Sequence, residues 1–245
     1  MKGKTLLTLS SLIILVLSGA LFLFLDHSRI TAAATRLYHK IQLAMAPIPA
    51  ADILLPVVFD KQDHALSCEA AVLKMALVYH GVSVDESELI DKIGTDTTPK
   101  SIKNSQLIWG DPQKGFVGNI DGKMPSSGYG VYWEPVARAA GKYRPAASFT
   151  GWSIDKLAGE IRKGNPVLIW GHLGNGDPLS WKTSDGRTIK AVHYEHAFIV
   201  NGLKGSVESP EGFFLVDPIY GHMYWPVETL LSHWSSLGYS GVTIQ

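Results

Sequence analysis

Cys68 is the only cysteine in the chain, and it opens an apolar run that predicts an α-helix over residues 68–80, ended by Gly81. At a helix N-terminus the first N–H groups are unpaired and the helix dipole is positive, so a thiolate is favoured over a thiol. Because the thiolate is the attacking form of cysteine, this position predicts a catalytic nucleophile. A buried cysteine that packs as a small hydrophobic residue is the alternative for Cys68 taken alone.

Three other residues have the types that thiol catalysis requires. His196 begins an apolar run, and an imidazole can accept the thiol proton and later protonate the leaving group. Asp217 ends a second apolar run and could accept from the other ring nitrogen of His196. Gln62 precedes Cys68 by six positions and could donate to the oxyanion of a tetrahedral intermediate. The predicted catalytic residues are Cys68, His196, Asp217 and Gln62.

This order of residues resembles the C39-like peptidases of the papain-like superfamily. The resemblance rests on Gln62 and Cys68 before a helix, His196-Ala-Phe on a strand and Asp217 before proline, and it extends from residue 53 to the C-terminus. It implies an α+β fold in which a central nucleophile helix packs on an antiparallel sheet, with Cys68 opposite His196 in a cleft. It also implies hydrolysis of an amide bond. Further matching segments are residues 109–118, 129–132 and 164–169.

Four further acidic residues lie in or near the segments that carry the predicted site, and we interpret Glu69 differently from the other three. Glu69 stands where many members of this family carry glycine, and its charge competes with the thiolate for the positive end of the helix. Asp111, Asp121 and Glu195 occur in loop-like or strand-edge settings, and we expect them to be solvated surface groups.

His193 is the main rival to His196 as the catalytic base. The odd offset of three places the two residues on opposite faces of a regular strand, and His193 falls in a predicted loop, where we expect it to be exposed. A zinc site made from His172, His193 and His222 would lack the short spacings of known zinc motifs. We therefore expect neither a metal nor an organic cofactor.

Residues 6–25 form an uncharged, mostly apolar run, which as a helix would be about 30 Å long and could span a bilayer. Lys2 and Lys4 precede it and favour a cytoplasmic N-terminus with an external C-terminal domain. A cleaved signal peptide is the alternative, with small residues available at 32–34. Both interpretations place the domain outside the cytoplasm, either on the cell membrane or secreted.

The composition limits the possible partners. Lys plus Arg and Asp plus Glu both total 22, so the formal net charge is zero and nothing indicates nucleic-acid binding. A single cysteine cannot form an internal disulfide or a multi-thiolate metal site, and an unpaired thiol in an exported domain suggests a functional role. The predicted partners are a peptide or protein substrate, with cell-wall peptide among the candidates, and the membrane through residues 6–25.

The pattern divides the chain into an anchor or signal segment at residues 1–25, a juxtamembrane linker at 26–50 and a C39-like domain at 51–245. Helices dominate early and short β-rich runs follow, which is typical of an α+β arrangement. We predict helices at 85–92, 134–140, 154–163 and 227–234, strands at 53–59, 166–171, 195–203, 212–217 and 239–244, and a long irregular segment at 95–130.

The predicted function is that of a cysteine peptidase acting through an acyl-enzyme at Cys68. Two alternatives remain open. One is a cell-wall amidase or endopeptidase with the same type of site. The other is a binding domain that keeps the fold and has lost turnover, although a binder would not need this combination of four residues.

Overall fold

The computed structural model describes residues 48–245. The predicted anchor at residues 6–25 and most of the predicted linker therefore lie outside the described residues. Within residues 48–245, no helix combines the length and apolar character needed to cross a membrane.

The described chain forms five α-helices, fourteen strands and one short 3₁₀ helix. In chain order they are β1 (Ile53–Leu54), α1 (Cys68–Tyr79), α2 (Glu86–Ile93), β2 (Thr95–Asp96), β3 (Ser101–Lys103), β4 (Gln106–Ile108), β5 (Phe116–Gly118), β6 (Gly128–Tyr129), α3 (Trp133–Ala140), β7 (Ala146–Phe149), α4 (Ile154–Arg162), β8 (Val167–His172), β9 (Pro178–Lys182), β10 (Thr188–Val192), β11 (Glu195–Gly205), β12 (Pro210–Asp217), β13 (Gly221–Pro226), α5 (Val227–Trp234), the 3₁₀ helix Ser235–Leu237 and β14 (Gly241–Ile244).

A seven-stranded antiparallel sheet forms the centre of the domain. Its strand order is β13-β12-β11-β8-β14-β7, and β1 pairs with β11 as well. Strands β8 and β11 lie in the middle and are almost completely buried, which explains why both read as continuous apolar runs. The helices and the antiparallel sheet confirm the predicted α+β class.

Side-chain alternation along β11 assigns the helices to opposite faces of this sheet. Ala197 and Ile199 belong to the hydrophobic cluster that includes the buried residues of α1 and α3. Phe198 and Val200 belong to a second cluster, which includes the buried residues of α4 and α5. Because alternate residues of a strand point to opposite faces, α1 packs on the face of the odd-numbered β11 residues.

Residues 95–130 are more ordered than the predicted irregular segment. They contain β2 to β6, which join a three-stranded sheet (β2-β5-β6) and a four-stranded sheet (β10-β9-β4-β3). Each of these strands has two or three residues, too few to show a period in the sequence. The strand predicted at 53–59 is reduced to Ile53–Leu54, because Val57 N–H turns back to donate to the Leu55 carbonyl.

Candidate active site

Cys68 is the first residue of α1, and the loop before it is held by a buried glutamate from α2. The Ser67 hydroxyl donates to Glu86 Oε1 at 2.5 Å, and the backbone N–H of Asp63 donates to the same carboxylate at 3.2 Å. The His64 N–H donates to Ser67 Oγ at 3.1 Å. The start of α1 is therefore fixed by its neighbours, and Cys68 itself is only 5% exposed.

The sulfur of Cys68 contacts the strand that carries His196. The backbone N–H of Ala197 donates to Cys68 Sγ at 3.4 Å. This N–H is free to do so because the pairing of β11 with β12 begins only at Ile199. The N-terminus of α1 therefore lies beside the first residues of β11, which pair with β8 but not with β12, and its contact is one residue from His196.

His196 and Asp217 form a buried pair. His196 Nε2 lies 3.1 Å from Asp217 Oδ2, and the two side chains are 5% and 0% exposed. The other oxygen, Oδ1, accepts from the N–H groups of Ile219 and Tyr220 at 2.6 and 3.0 Å. Burial raises the pKa of Asp217, but the His196 contact and these two N–H groups outweigh it and hold the pKa below its ordinary 3.8. Asp217 is thus a buried carboxylate in contact with Nε2 of the His196 ring.

Gln62 lies in the loop before α1, and its backbone N–H donates to the Pro218 carbonyl at 3.0 Å. This bond connects the loop to the segment that follows Asp217. The side-chain amide, however, donates to the carbonyls of His64 and Ala65, at 2.6 and 3.2 Å. Both amide hydrogens form hydrogen bonds within the loop. The predicted oxyanion role would therefore require the amide to break one of these two hydrogen bonds.

The surroundings of Cys68 favour the thiol over the thiolate. Cys68 Sγ donates to Glu69 Oε2 at 3.2 Å, and no hydrogen bond within residues 48–245 joins Sγ to the His196 ring. Burial, followed by the charges of Glu69 and Glu195, raises the pKa of Cys68 well above its ordinary 9.0, and the Ala197 N–H opposes this only in part. The expectation that the helix N-terminus would lower this pKa is wrong for the observed arrangement, because burial and two carboxyl groups outweigh the dipole.

Glu195 corrects a second expectation. It is 3% exposed, not solvated, and neither of its carboxyl oxygens receives a hydrogen bond from the described residues. The sequence contained a signal for this position. Glu195 directly precedes His196 on β11, and side-chain alternation along the strand turns Glu195 to the α1 face, towards Glu69. The proximity of Glu195 to Glu69 was not predicted, because it arises from tertiary packing between α1 and β11.

Asp111 is also buried, at 1% exposure, and forms an ion pair with Arg187, so the expectation of a solvated position is wrong there too. Asp121 is exposed as expected and lies 3.0 Å from His64 Nδ1.

His193 lies in the turn between β10 and β11 and is half-buried, not exposed as expected. Its backbone N–H donates to the Asp177 carbonyl at 2.8 Å, and Nε2 is buried without a partner in the described part of the chain. Among residues 48–245, no three His, Cys, Asp or Glu side chains are placed to hold a metal ion. A surface pocket of about 420 Å³ contains none of the predicted catalytic residues; its lining is Gln113, Tyr132, Arg187, Thr188, Ile189 and Lys190.

An α+β fold with a cysteine at the start of a central helix and a histidine–aspartate pair on neighbouring antiparallel strands defines the papain-like class of cysteine peptidase. The chain belongs to the Peptidase_C39 like family, whose model matches residues 54–242. The structure is similar to the crystal structure of a protein described as a C39-like peptidase from Bacillus anthracis. The TM-score is 0.65 at 28% identity, and the match covers 80% of this chain and 98% of that one.

Two further solved structures match with lower similarity. One is a double glycine motif protease from an AMS/PCAT transporter in complex with its leader peptide, at 15% identity and a TM-score of 0.44, covering 81% of this chain and 99% of that one. The other is the peptidase domain of Streptococcus ComA, at 12% identity and a TM-score of 0.47, covering 77% of this chain and 98% of that one. No curated protein sequence matches the chain significantly.

Proposed function

We propose that the protein is a cysteine peptidase that cleaves an amide bond through an acyl-enzyme at Cys68. The observation that carries this proposal is the placement of Cys68 Sγ against Ala197 N–H, one residue from a histidine that is buried against Asp217. A structural cysteine needs neither the adjacent histidine nor a carboxylate aligned on that histidine. The family to which the chain belongs supports the same activity.

In the proposed mechanism, each step of the reaction is carried out by a named group. His196 Nδ1 accepts the Cys68 proton while Nε2–H donates to Asp217, and the sulfur adds to the substrate carbonyl carbon. The oxyanion is stabilised by the Cys68 backbone N–H and by Gln62, once its amide leaves the loop carbonyls. The imidazolium then protonates the departing amine, and water attacks the thioester with His196 as base, which regenerates the thiol.

The Cys68 thiol must exchange its hydrogen bond to Glu69 for one to His196 before this reaction can begin. In the structure it donates to Glu69 instead of His196. A rotation about the Cα–Cβ bond of Cys68 is the smallest motion that moves the sulfur between neighbours. We therefore assign the observed arrangement to the resting enzyme.

Labelling with a peptide-based electrophile tests the proposal on the full chain. Because the sequence holds a single cysteine, any thiol adduct must be on Cys68, and intact mass suffices to detect it. We expect one adduct on the wild type and none on Cys68→Ser. A wild type that reacts with such a probe no faster than with a matched non-peptidic electrophile would contradict a peptidase site.

A cell-wall peptide is the alternative substrate. To distinguish the two substrate classes, unlabelled enzyme from a preparation whose Cys68 reacts with the probe is incubated with a denatured protein and, in parallel, with purified peptidoglycan. New amino groups in only one of the two reactions identify the substrate. If neither reaction produces new amino groups although Cys68 still forms the adduct in the labelling experiment, the binding-domain alternative is favoured.

For the location, we propose an external domain attached to the cell membrane by residues 6–25. The support is the uncharged run with lysines before it. Secretion after cleavage of the same segment is the alternative, and the N-terminal sequence of the mature protein separates the two.

A further inference from the structure

Two buried carboxyl groups meet beside the nucleophile. Glu69 follows Cys68 on α1 and is 0% exposed, and Glu195 precedes His196 on β11 and is 3% exposed. A β-carbon built on Gly130 would overlap Glu69 Oε1 and Glu195 Oε2 at once, so the two carboxyl groups are neighbours across this glycine. Each is attached by one peptide bond to a residue of the proposed catalytic pair.

Only Glu69 has partners that suit an ionised group. Its Oε1 accepts from the Val131 N–H at 2.7 Å, and its Oε2 accepts from Cys68 Sγ at 3.2 Å. Glu195 receives no hydrogen bond from the described residues on either oxygen, and no lysine or arginine in the described range forms an ion pair with either group. A buried carboxylate without donors is strongly disfavoured, whereas a carboxylic acid can donate to the neighbouring carboxylate.

We propose that Glu69 and Glu195 share one proton as a carboxylic acid–carboxylate pair, and that Glu69 is a positioning residue that holds the Cys68 sulfur as a thiol between turnovers. This inference rests on the proposed function of Cys68. It assigns a role to two residues that take no part in bond making or breaking.

The surrounding groups are consistent with a retained proton. The titratable residues that face the pair are Cys68 from α1, and Tyr129 and Tyr132 from the segment before α3. Tyr129 exchanges hydrogen bonds with the backbone of Val192, and the Tyr132 hydroxyl donates to the Lys190 carbonyl. Neither tyrosine therefore donates to Glu195, and no cation replaces the shared proton.

The direction of the pKa values agrees with this geometry. Burial raises the pKa of Glu69 from its ordinary 4.5 to about 7, against the hydrogen bonds that it accepts. Burial and the charge of Glu69 raise the pKa of Glu195 well above 4.5. Two adjacent buried carboxyls cannot both ionise easily, so one proton stays in the pair at neutral pH.

Replacing Glu69 by glutamine tests the positioning role. The glutamine oxygen can accept from the Val131 N–H while its NH₂ group donates to the sulfur, which would stabilise a thiolate. We expect the pH midpoint of iodoacetamide alkylation of Cys68 to fall by about 1 unit or more in Glu69→Gln, the size typical of losing an adjacent charge. Glu88→Gln, at an exposed glutamate of α2, is the matched control and should leave the midpoint unchanged.

Infrared spectroscopy of the same proteins tests the shared proton directly. At pH 7 the wild type should show a carboxylic-acid C=O band from the pair, and this band should be lost in Glu195→Gln, where the amide donates to Glu69, and kept in Glu88→Gln. Glu195→Gln also covers the case in which Glu69→Gln fails to fold. An unchanged band in Glu195→Gln, or an unchanged alkylation midpoint in folded Glu69→Gln, would overturn the inference.

These readouts need no substrate. If the variants show the shifted alkylation midpoint and the lost infrared band but the wild type hydrolyses no peptide, the proposed function is contradicted and the proposal of a carboxyl pair is supported. A protein that hydrolyses peptides and shows neither effect would contradict the pair alone.

Discussion

The amide nitrogen of Ala197 donates to the sulfur of Cys68 at 3.4 Å, and this bond connects residues that are 129 positions apart in the sequence. It fixes the start of α1 against β11 at the position next to His196. The donor is a backbone group, so the position of Cys68 relative to β11 depends on the path of the strand and not on the alanine side chain.

His196→Ala should lower kcat/KM by about 10² to 10⁴, because it removes the group that accepts and returns the proton. His193→Ala is the matched control, since its ring lies in the turn before β11 and we place it outside the reaction. We expect near wild-type turnover for this control. A severe loss in His193→Ala with an active His196→Ala would show that the base is the other histidine.

Asp217→Asn should be nearly as damaging as His196→Ala. In the wild type Oδ1 accepts from two backbone N–H groups and Oδ2 faces His196 Nε2, so both sides of the carboxylate accept. An asparagine has one oxygen; if that oxygen keeps the backbone bonds, its NH₂ faces Nε2 and forces the tautomer with a proton on Nδ1. That tautomer cannot accept the thiol proton, and an error of this kind reduces kcat by about 10⁴ in a serine peptidase.

Urea unfolding of Asp217→Asn distinguishes this effect from loss of structure. A tautomer defect should lower kcat while leaving the unfolding midpoint in urea close to that of the wild type. If Asp217→Asn kept more than a tenth of wild-type kcat, Asp217 would have no orienting role of this type.

Much of the fold could be predicted because the relevant patterns are local. Helix α4 has Ser153 as N-cap, with its hydroxyl accepting from Lys156 N–H, and the predicted span of 154–163 matches Ile154–Arg162 closely. The buried strands β8 and β11 were recognisable from their apolar runs. Strands β2 to β6 and the β9–β10 hairpin were not predicted, because they are short and depend on partners elsewhere in the chain.

Part of the geometry of the candidate site could be predicted for the same reason. Residue type and position in an element led to the prediction of Cys68, His196 and Asp217 as catalytic residues, and the predicted contact between Asp217 and His196 is present in the structure. The raised pKa of the Cys68 thiol was not predictable, because it results first from burial and then from the charges of Glu69 and Glu195, which tertiary packing brings together. A carboxylate has the same sequence signature whether it is solvated or enclosed.

The carboxyl pair should make stability fall as pH rises. Between the ordinary pKa of 4.5 and about 7, Glu69 keeps a proton in the folded chain that it loses in the unfolded chain. The folded state then binds more protons, so the unfolding free energy decreases with pH, by up to about 1.4 kcal/mol per pH unit for one proton. Glu195, whose pKa is raised further, extends the window above pH 7.

Urea unfolding at half-unit steps from pH 4.5 to 8.5 measures this slope. In Glu195→Gln the decrease should be smaller, because the amide removes one titrating group and donates to Glu69. Glu86, whose pKa burial also raises, contributes equally in both proteins and cancels in the difference. Equal slopes in wild type and Glu195→Gln would contradict a proton held by the pair.

Protease added to intact cells that carry the full chain should degrade the domain or release it from the membrane. The physical reason is that residues 6–25 can span the bilayer with the lysines on the cytoplasmic side. A cytoplasmic protein in the same cells is the control for leakage. A domain that remains intact until the cells are lysed would reverse the proposed orientation.

Gly130→Ala should destabilise the protein, because the new methyl group would overlap oxygens of both Glu69 and Glu195. Gly130 does not have a positive φ, so the substitution tests space and not backbone conformation. Overpacking of this kind reduces the unfolding free energy by about 1–3 kcal/mol. Gly159→Ala is the matched control: it lies inside α4 with nothing within 4 Å of an added β-carbon, and it should stabilise by about 0.5–1 kcal/mol.

A double-mutant cycle assigns the Gly130 effect to the carboxyl pair. In Glu69→Ala the nearest oxygen is gone, so adding Gly130→Ala to it should reduce the unfolding free energy by less than in the wild type. The same methyl group would push Glu69 away from Cys68, and the alkylation midpoint of Cys68 should fall in Gly130→Ala even where the protein remains folded. Strict additivity of the two substitutions, together with an unshifted midpoint, would mean that Gly130 is required for some reason other than the space that it leaves to Glu69 and Glu195.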